Sequence, residues 1–180
     1  MTETISNIPD PFRLHLGGHE VKDGWHILNA QEKEGIDFLG DVRDLSQFPD
    51  ACCDEVYASH IIEHLSYRDE LLDALIGIRR ILKPGGVFKI GVPDMEILSQ
   101  FVANPALPAD KKMYVMRIVF GGQIDAYDFH KSGFTFEILK GFLEQAGFES
   151  ITRVASFGLF DDSTELKLGD HPISLNVEAG

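Results

Sequence analysis

The sequence predicts an α/β domain whose sheet is mostly parallel and ends in an antiparallel pair. Three observations carry that expectation. Residues 51–93 read as strand, helix, tight turn and strand, and a crossover of this kind joins parallel neighbours in a helix-covered sheet. Segments 148–157 and 172–179 both have strand character with no helical pattern between them, which marks an antiparallel pair at the sheet end. Three short strand candidates fill the start of the chain, and their links are too short for ordinary crossover helices.

Taken in order, residues 1–11 are polar with two prolines and read as a loosely held lead-in. Residues 12–16 alternate as a strand that stops at Gly17-Gly18; 26–29 and 36–41 are the next two strands. The links at 19–25 and 31–35 predict that the helices usual at these places are lost or reduced to one turn. Within 51–93, residues 54–59 form a strand, and Ser66 with Asp69 fits an S-x-x-D capping pattern. Leu71, Leu75, Ile78 and Leu82 then make one apolar stripe, and Arg79, Arg80 and Lys83 suit the negative end of the helix dipole. Pro84-Gly85-Gly86 stops the helix, and 87–92 is the next strand. Residues 94–103 and 109–120 read as helices, the second with Met113, Met116, Val119 and Phe120 as its core face. Residues 121–133 are a polar, glycine-flanked loop, and Thr135 caps a helix through Ala146 that Gly147 ends.

One domain spanning residues 1–180 is the natural reading of a chain with 44% hydrophobic and 25% charged residues. A formal charge of −13 argues against nucleic acid or an anionic membrane surface as partner. No apolar run approaches the roughly 18 residues of a membrane span. The first residues lack a signal-peptide pattern, so a cytoplasmic location is expected. Cys52 and Cys53 are adjacent and read as buried thiols rather than a mutual disulfide or a metal knuckle.

The ordered runs LHLGG, GWHILN, IDFLGDVRDLSQFP, CDEVYASHIIEHL and ILKPGGVFKIGVPD resemble class I S-adenosylmethionine-dependent methyltransferases, most of all the small bacterial branch of the type 11 group. The similarity continues through FGGQ, DFHKSGFT, FLEQAGF and PISLNVEA, nearly the whole chain. The resemblance implies a Rossmann-like, seven-stranded, mostly parallel sheet with an antiparallel C-terminal pair. It also implies S-adenosyl-L-methionine as cofactor and methyl transfer to an oxygen or nitrogen of a small-molecule acceptor, by analogy a sugar or secondary metabolite.

In an open α/β sheet, ligands bind beyond the carboxyl ends of the strands, where Gly17 and Gly18 lie. By resemblance, these two face the methionine part of the cofactor, although the family's third glycine is replaced as His19 and Glu20 follow. Asn29 stands where the family carries an acid for the ribose hydroxyls; Asp41 and the backbone of Val42 match the adenine position. Ser59 and His60 end the fourth strand, next to the reactive methyl, with His60 the first candidate base and His130 the second. Gln123, His130 and Lys131 of the 121–133 loop would face the acceptor. A cofactor left open by the short crossovers would be closed by that loop or by a second subunit of a homo-oligomer.

Two competing readings remain at this point. A non-catalytic binding or scaffold protein on a degenerate version of the fold is favoured by the reduced glycine motif and the missing acid at Asn29. A metal-dependent hydrolase would use His60-Ile61-Ile62-Glu63-His64, an H-x-x-E-H pattern, with both histidines on zinc, Glu63 activating water and Glu137 as third ligand. The methyltransferase reading needs no metal, and has Glu63 and His64 tie the turn to its neighbours by hydrogen bonds.

Overall fold

A computed structural model describes Ile5 and residues 8–180. The elements are β1 (Arg13–Leu16), β2 (His26–Asn29), β3 (Phe38–Leu39) and β4 (Cys53–Ser59), a 3₁₀ turn at Ile62–His64, α1 (Leu71–Ile81) and β5 (Leu82–Pro93). Then come α2 (Met95–Ala103), α3 (Ala109–Phe120), α4 (Phe136–Gln145), β6 (Ile151–Val154) and a 3₁₀ turn at Ser163–Glu165. The small hairpin β7 (Lys167–Leu168) and β8 (His171–Pro172) precedes β9 (Ser174–Ala179). Seven strands make one sheet in the order β3-β2-β1-β4-β5-β9-β6. Pairing is parallel from β3 to β5 and antiparallel where β9 inserts between β5 and β6.

Among the described residues no helix joins β1 to β2, β2 to β3 or β3 to β4. The lost-helix expectation is met, and β3 shrinks from the six residues expected to an edge strand of two. It has a neighbour on one side only, and its pairing ends after Phe38 and Leu39. The 148–157 strand likewise contracts to Ile151–Val154, the length that β9 can pair.

The expected cap of α1 is displaced. The helix begins at Leu71, and the carboxylate that receives the Ser66 N–H (2.8 Å) belongs to Glu70, not Asp69. Leu71, Ala74, Leu75, Ile78 and Ile81 are its buried face. The chain enters β5 directly after Ile81; residues 83–86 loop out, because Cys53 pairs with Leu82 while Glu55 pairs with Val87. Gly85 takes φ +80° there, a left-handed conformation that glycine adopts at no steric cost.

α3 keeps only Val119 of its expected face against its neighbours. Val115 is buried, packed with Leu98 of α2 and Ile173, while Met113, Met116 and Phe120 are exposed. The helix rests on α2 outside the sheet, so one narrow row suffices to bury it. The lead-in is also better held than its composition suggests: Ile5 and Ile8 pack on the core, and the Ile5 N–H reaches the Gln47 carbonyl at 2.9 Å. The rest of that stretch, residues 1–4, 6 and 7, lies outside the described residues.

Candidate functional site

The strand order reverses between β1 and β4, and a crevice at such a switch is where α/β sheets bind ligands. A cleft of about 820 Å³ opens there, at the carboxyl ends of β1, β2 and β4 and under the loops 124–131 and 160–163. Gly17, Gly18, Asn29, Asp41, Val42, Ser59, His60 and Lys131 all line it.

The glycine turn is dictated by the protein's own packing. Gly17 has φ +69°, and a Cβ on it would collide with the Ile61 side chain; a Cβ on Gly18 would strike the His15 ring. Asn29 is committed internally. Its Nδ2 donates to the Gly18 carbonyl (3.1 Å), and its Oδ1 accepts the Gln31 N–H (2.9 Å). It therefore fixes the turn, with one bond made at each end of its amide.

Asp41 is held by Arg43, which donates to it from the backbone N–H, Nε (both 2.9 Å) and Nη2 (2.6 Å). Those bonds hold the Asp41 carboxyl below its ordinary range. Arg43 Nη1 also reaches Glu70 (2.8 Å), and Lys131 Nζ reaches the other oxygen of Glu70 (2.9 Å). The Ser66 N–H, Lys131 and Arg43, in that order, hold the Glu70 carboxyl down to about 2. The result is a chain of charge, Asp41–Arg43–Glu70–Lys131, that ties three distant segments along the cleft rim.

His60 sits in left-handed backbone, φ +51°. Its Nε2 lies 2.8 Å from Ser174 Oγ, whose single proton goes to the Ser163 carbonyl at 2.6 Å. Ser174 can then only accept from His60, so Nε2 carries the proton and Nδ1 keeps a lone pair, 3.3 Å from Glu63 Oε1. Burial pushes His60 down to about 4, so it is neutral near pH 7. Its Nε2 is thus taken by Ser174, and its Nδ1 lies beside the Glu63 carboxylate.

Gln123 and His130 do not line the cleft. Gln123 Nε2 folds back to the Phe120 carbonyl (3.4 Å), and His130 is buried behind the wall, its Nε2 3.8 Å from Glu63 Oε1. Glu63 also departs from expectation, whereas His64 is bonded to the Phe129 backbone. The tie to the 121–133 loop is made by the Glu63 carbonyl, which accepts the N–H of Lys131 (2.8 Å) and Ser132 (3.0 Å), while the carboxylate has no hydrogen-bond partner. The H-x-x-E-H hydrolase geometry is absent. His60 ends a strand, His64 ends a single 3₁₀ turn, and exposed Glu137 in the first turn of α4 is no part of their cluster.

Two parts of the site had no place in the sequence reading. One is the Arg43–Glu70 pair, 27 residues apart, for which no local pattern exists. The other is segment 160–163. Asp162 accepts from Tyr57 Oη (2.8 Å) and caps Thr164 (2.9 Å), while Phe160 packs 4.3 Å from His15, ring centre to ring centre. The D-S-T-E run at 162–165 is a capping-box pattern and was a usable signal for that turn.

Residues 22–90 match the family model described as a methyltransferase domain. No curated relative matches the sequence. Among solved structures, an S-adenosylmethionine-dependent methyltransferase from Archaeoglobus fulgidus superposes with a TM-score of 0.58 at 18% identity, covering 94% of this chain and 85% of that one. A possible histamine N-methyltransferase from Thermotoga maritima gives 0.57 at 18%, covering 96% and 83%. The Burkholderia thailandensis 1,6-didemethyltoxoflavin-N1-methyltransferase, solved with its substrate and S-adenosylhomocysteine, gives 0.60 at 16%, covering 94% and 70%. At these identities the structural likeness speaks for the fold.

Proposed function

We propose that the chain is a class I S-adenosylmethionine-dependent methyltransferase of the type 11 group, and that it methylates an oxygen or nitrogen of a small-molecule acceptor in the 820 Å³ cleft. One observation carries the reading: the glycine turn at the end of β1, the Asp41–Val42 corner and the end of β4 converge on one cleft at the switch in strand order. Its volume lies within the range of about 300–1,000 Å³ that small-molecule sites occupy. Gly17, Gly18, Asp41 and Val42 would hold the cofactor, with Asn29 acting through the glycine turn and Ser59 and His60 forming the wall beside the reacting groups.

S-adenosylmethionine supplies a methyl already activated on a sulfonium. The task left to the chain is alignment of the acceptor for in-line displacement and exclusion of water. Lys131 and the 124–129 segment face the acceptor side. With His60 committed to Ser174 and Glu63, its part is to position that wall. The arrangement suits an acceptor whose attacking atom already carries a free lone pair, since His60, the candidate base that lines the cleft, has Nε2 bonded to Ser174 and Nδ1 beside Glu63. No helix among the described residues is long and apolar enough to cross a membrane.

A second reading is a protein that binds the cofactor without turnover. It is favoured by Asn29 and Asp41, whose side chains already have partners. Calorimetric titration with S-adenosylmethionine and S-adenosylhomocysteine separates the readings. We expect close to one equivalent bound, weakened on the order of tenfold in Asp41→Ala, the size expected for one lost charge-assisted hydrogen bond. Binding with no turnover over a broad panel of hydroxyl and amine acceptors would leave the second reading, and folded protein that binds neither ligand would defeat both.

A further inference from the structure

Behind the wall formed by His60 lies a cluster that methyl transfer does not use. Glu63 is fully buried, and neither of its carboxylate oxygens has a hydrogen-bond partner. The Nδ1 atoms of His64 and His130 are also buried without a partner. One ligand atom from each of the three residues lies within 4.8 Å of the others. The two imidazoles meet edge to face with centroids 4.6 Å apart. The bare Nδ1 of His60 points at the same carboxylate from 3.3 Å.

Lone pairs thus converge on one small buried volume, and the structure supplies no donor to answer them. Buried polar groups are nearly always paired, so this concentration requires an explanation. A proton on Glu63 answers only one of them, because a carboxylic acid donates a single hydrogen bond. A cation held between the three side chains would answer the Glu63 carboxylate and one nitrogen of each of the two imidazoles.

We propose that Glu63, His64 and His130 bind one divalent transition-metal ion of the zinc type. Two imidazoles and a carboxylate are a donor set that zinc favours. Burial keeps both histidines neutral, the form that ligates. Ligand atoms around tetrahedral zinc stand about 3.4 Å apart, from bond lengths of about 2.1 Å. The 3.8 Å between His130 Nε2 and Glu63 Oε1 closes to that value by a shift of a few tenths of an ångström. The site differs from the H-x-x-E-H hydrolase arrangement: Glu63 is a ligand rather than a base, and His130 replaces His60. Its place gives it a structural task. The ion clips the 3₁₀ turn at Ile62–His64 to the loop whose residues 124–131 cover the cleft, beside the bonds from Lys131 and Ser132 to the Glu63 carbonyl and from Ser132 Oγ to the Leu65 carbonyl (2.6 Å).

The test uses untagged, full-length protein stripped with a chelator. It is titrated with zinc chloride against a chromophoric chelator, and in parallel with cobalt(II). The expected result is one equivalent bound with a dissociation constant below micromolar, the strong visible absorption of four-coordinate cobalt, and a Tm rise of roughly 5 °C with zinc. His130→Ala and Glu63→Gln each weaken binding at least tenfold, while Glu137→Gln and His19→Ala leave it unchanged. A folded wild-type protein that retains no zinc and gives no such cobalt spectrum overturns the proposal, whether or not the variants fold. Binding that survives both ligand substitutions also overturns it.

Discussion

The two faces of the sheet are built on opposite principles. On one, Leu14, Leu16, Leu28, Val56, Ala58, Phe88, Ile90, Val177 and Ala179 form a continuous apolar surface under α1 and α4. On the other, Arg13, Glu55 and Lys89 make a charged row, Glu55 bonding Arg13 at 2.9 Å and also bonding Lys89. The cleft end of that second face is covered by a loop instead of a helix. Phe160 packs on His15, Tyr57 and Trp25, and the turn at Ser163–Glu165 sits over Gly91, where a Cβ would collide with Thr164. A parallel sheet normally has both faces buried under crossover helices. Here the helices between β1 and β4 are gone, and the residues beneath have become polar or aromatic to suit a thin cover.

The sharpest way to test this contrast is to remove matter from each face. Ile78→Ala, in the buried stripe of α1, should cost about 2–5 kcal/mol in chemical denaturation, the range for a deleted core side chain. An apolar face that tolerated this loss would not be the main source of stability. Acid sensitivity should belong to the other face. Burial holds His15 down to about 4, so its neutral form is the one the fold keeps. The folded value is depressed, so its contribution is present above the unfolded value of about 6.5 and is lost as pH falls through 4. His15→Gln should flatten the fall of Tm between those limits, recovering on the order of 3 kcal/mol at the acid end; an unchanged slope would place the acid lability elsewhere. The smallest effect is expected from Lys89→Ala, about 1 kcal/mol or less, because Glu55 keeps Arg13 as a partner and a partly solvated ion pair contributes little. A larger loss would mean that the charged row acts as a core of its own.

The central unit was legible because each signal was local. The stripe of α1, the glycines after it and the strands on either side all lie within one stretch of chain, and links too short for helices disclosed the bare face. The burial of α3 was not legible. Apolar residues ring that helix on several sides, and only contact with Leu98 selects Val115 over Met113 and Met116. The same division holds in the site. Gly17, Gly18, Asn29, Asp41, Ser59 and His60 reach the cleft because strand ends map onto it directly. Gln123 and His130 do not, since the path of a loop is set by what it docks against, here the Glu63 carbonyl. That Asn29 and Asp41 would be satisfied by Gly18 and Arg43 was likewise beyond reach, because residue type gives capacity to bond and not the partner chosen.

The missing helices have a further consequence, for the order of assembly. β1 finds a neighbour in β4, and the Phe12 N–H answers the Asp54 carboxylate 42 residues later. Before β4 is made, the described residues ahead of it hold no helix, and the strand pairings open to them are the short ones of β1 with β2 and β2 with β3. Closing so long a loop before any contact rewards it is slow. The early structure therefore belongs to β4, α1 and β5, which contact one another within a short span, and the cleft end of the protein condenses onto them last. Pulse-labelled hydrogen exchange during refolding would register this as protection of the α1 amides ahead of those in β1 and β2; simultaneous protection would remove the asymmetry. A nascent chain would pass through a stage in which half of its future binding cleft exists only as short strands that lack β4.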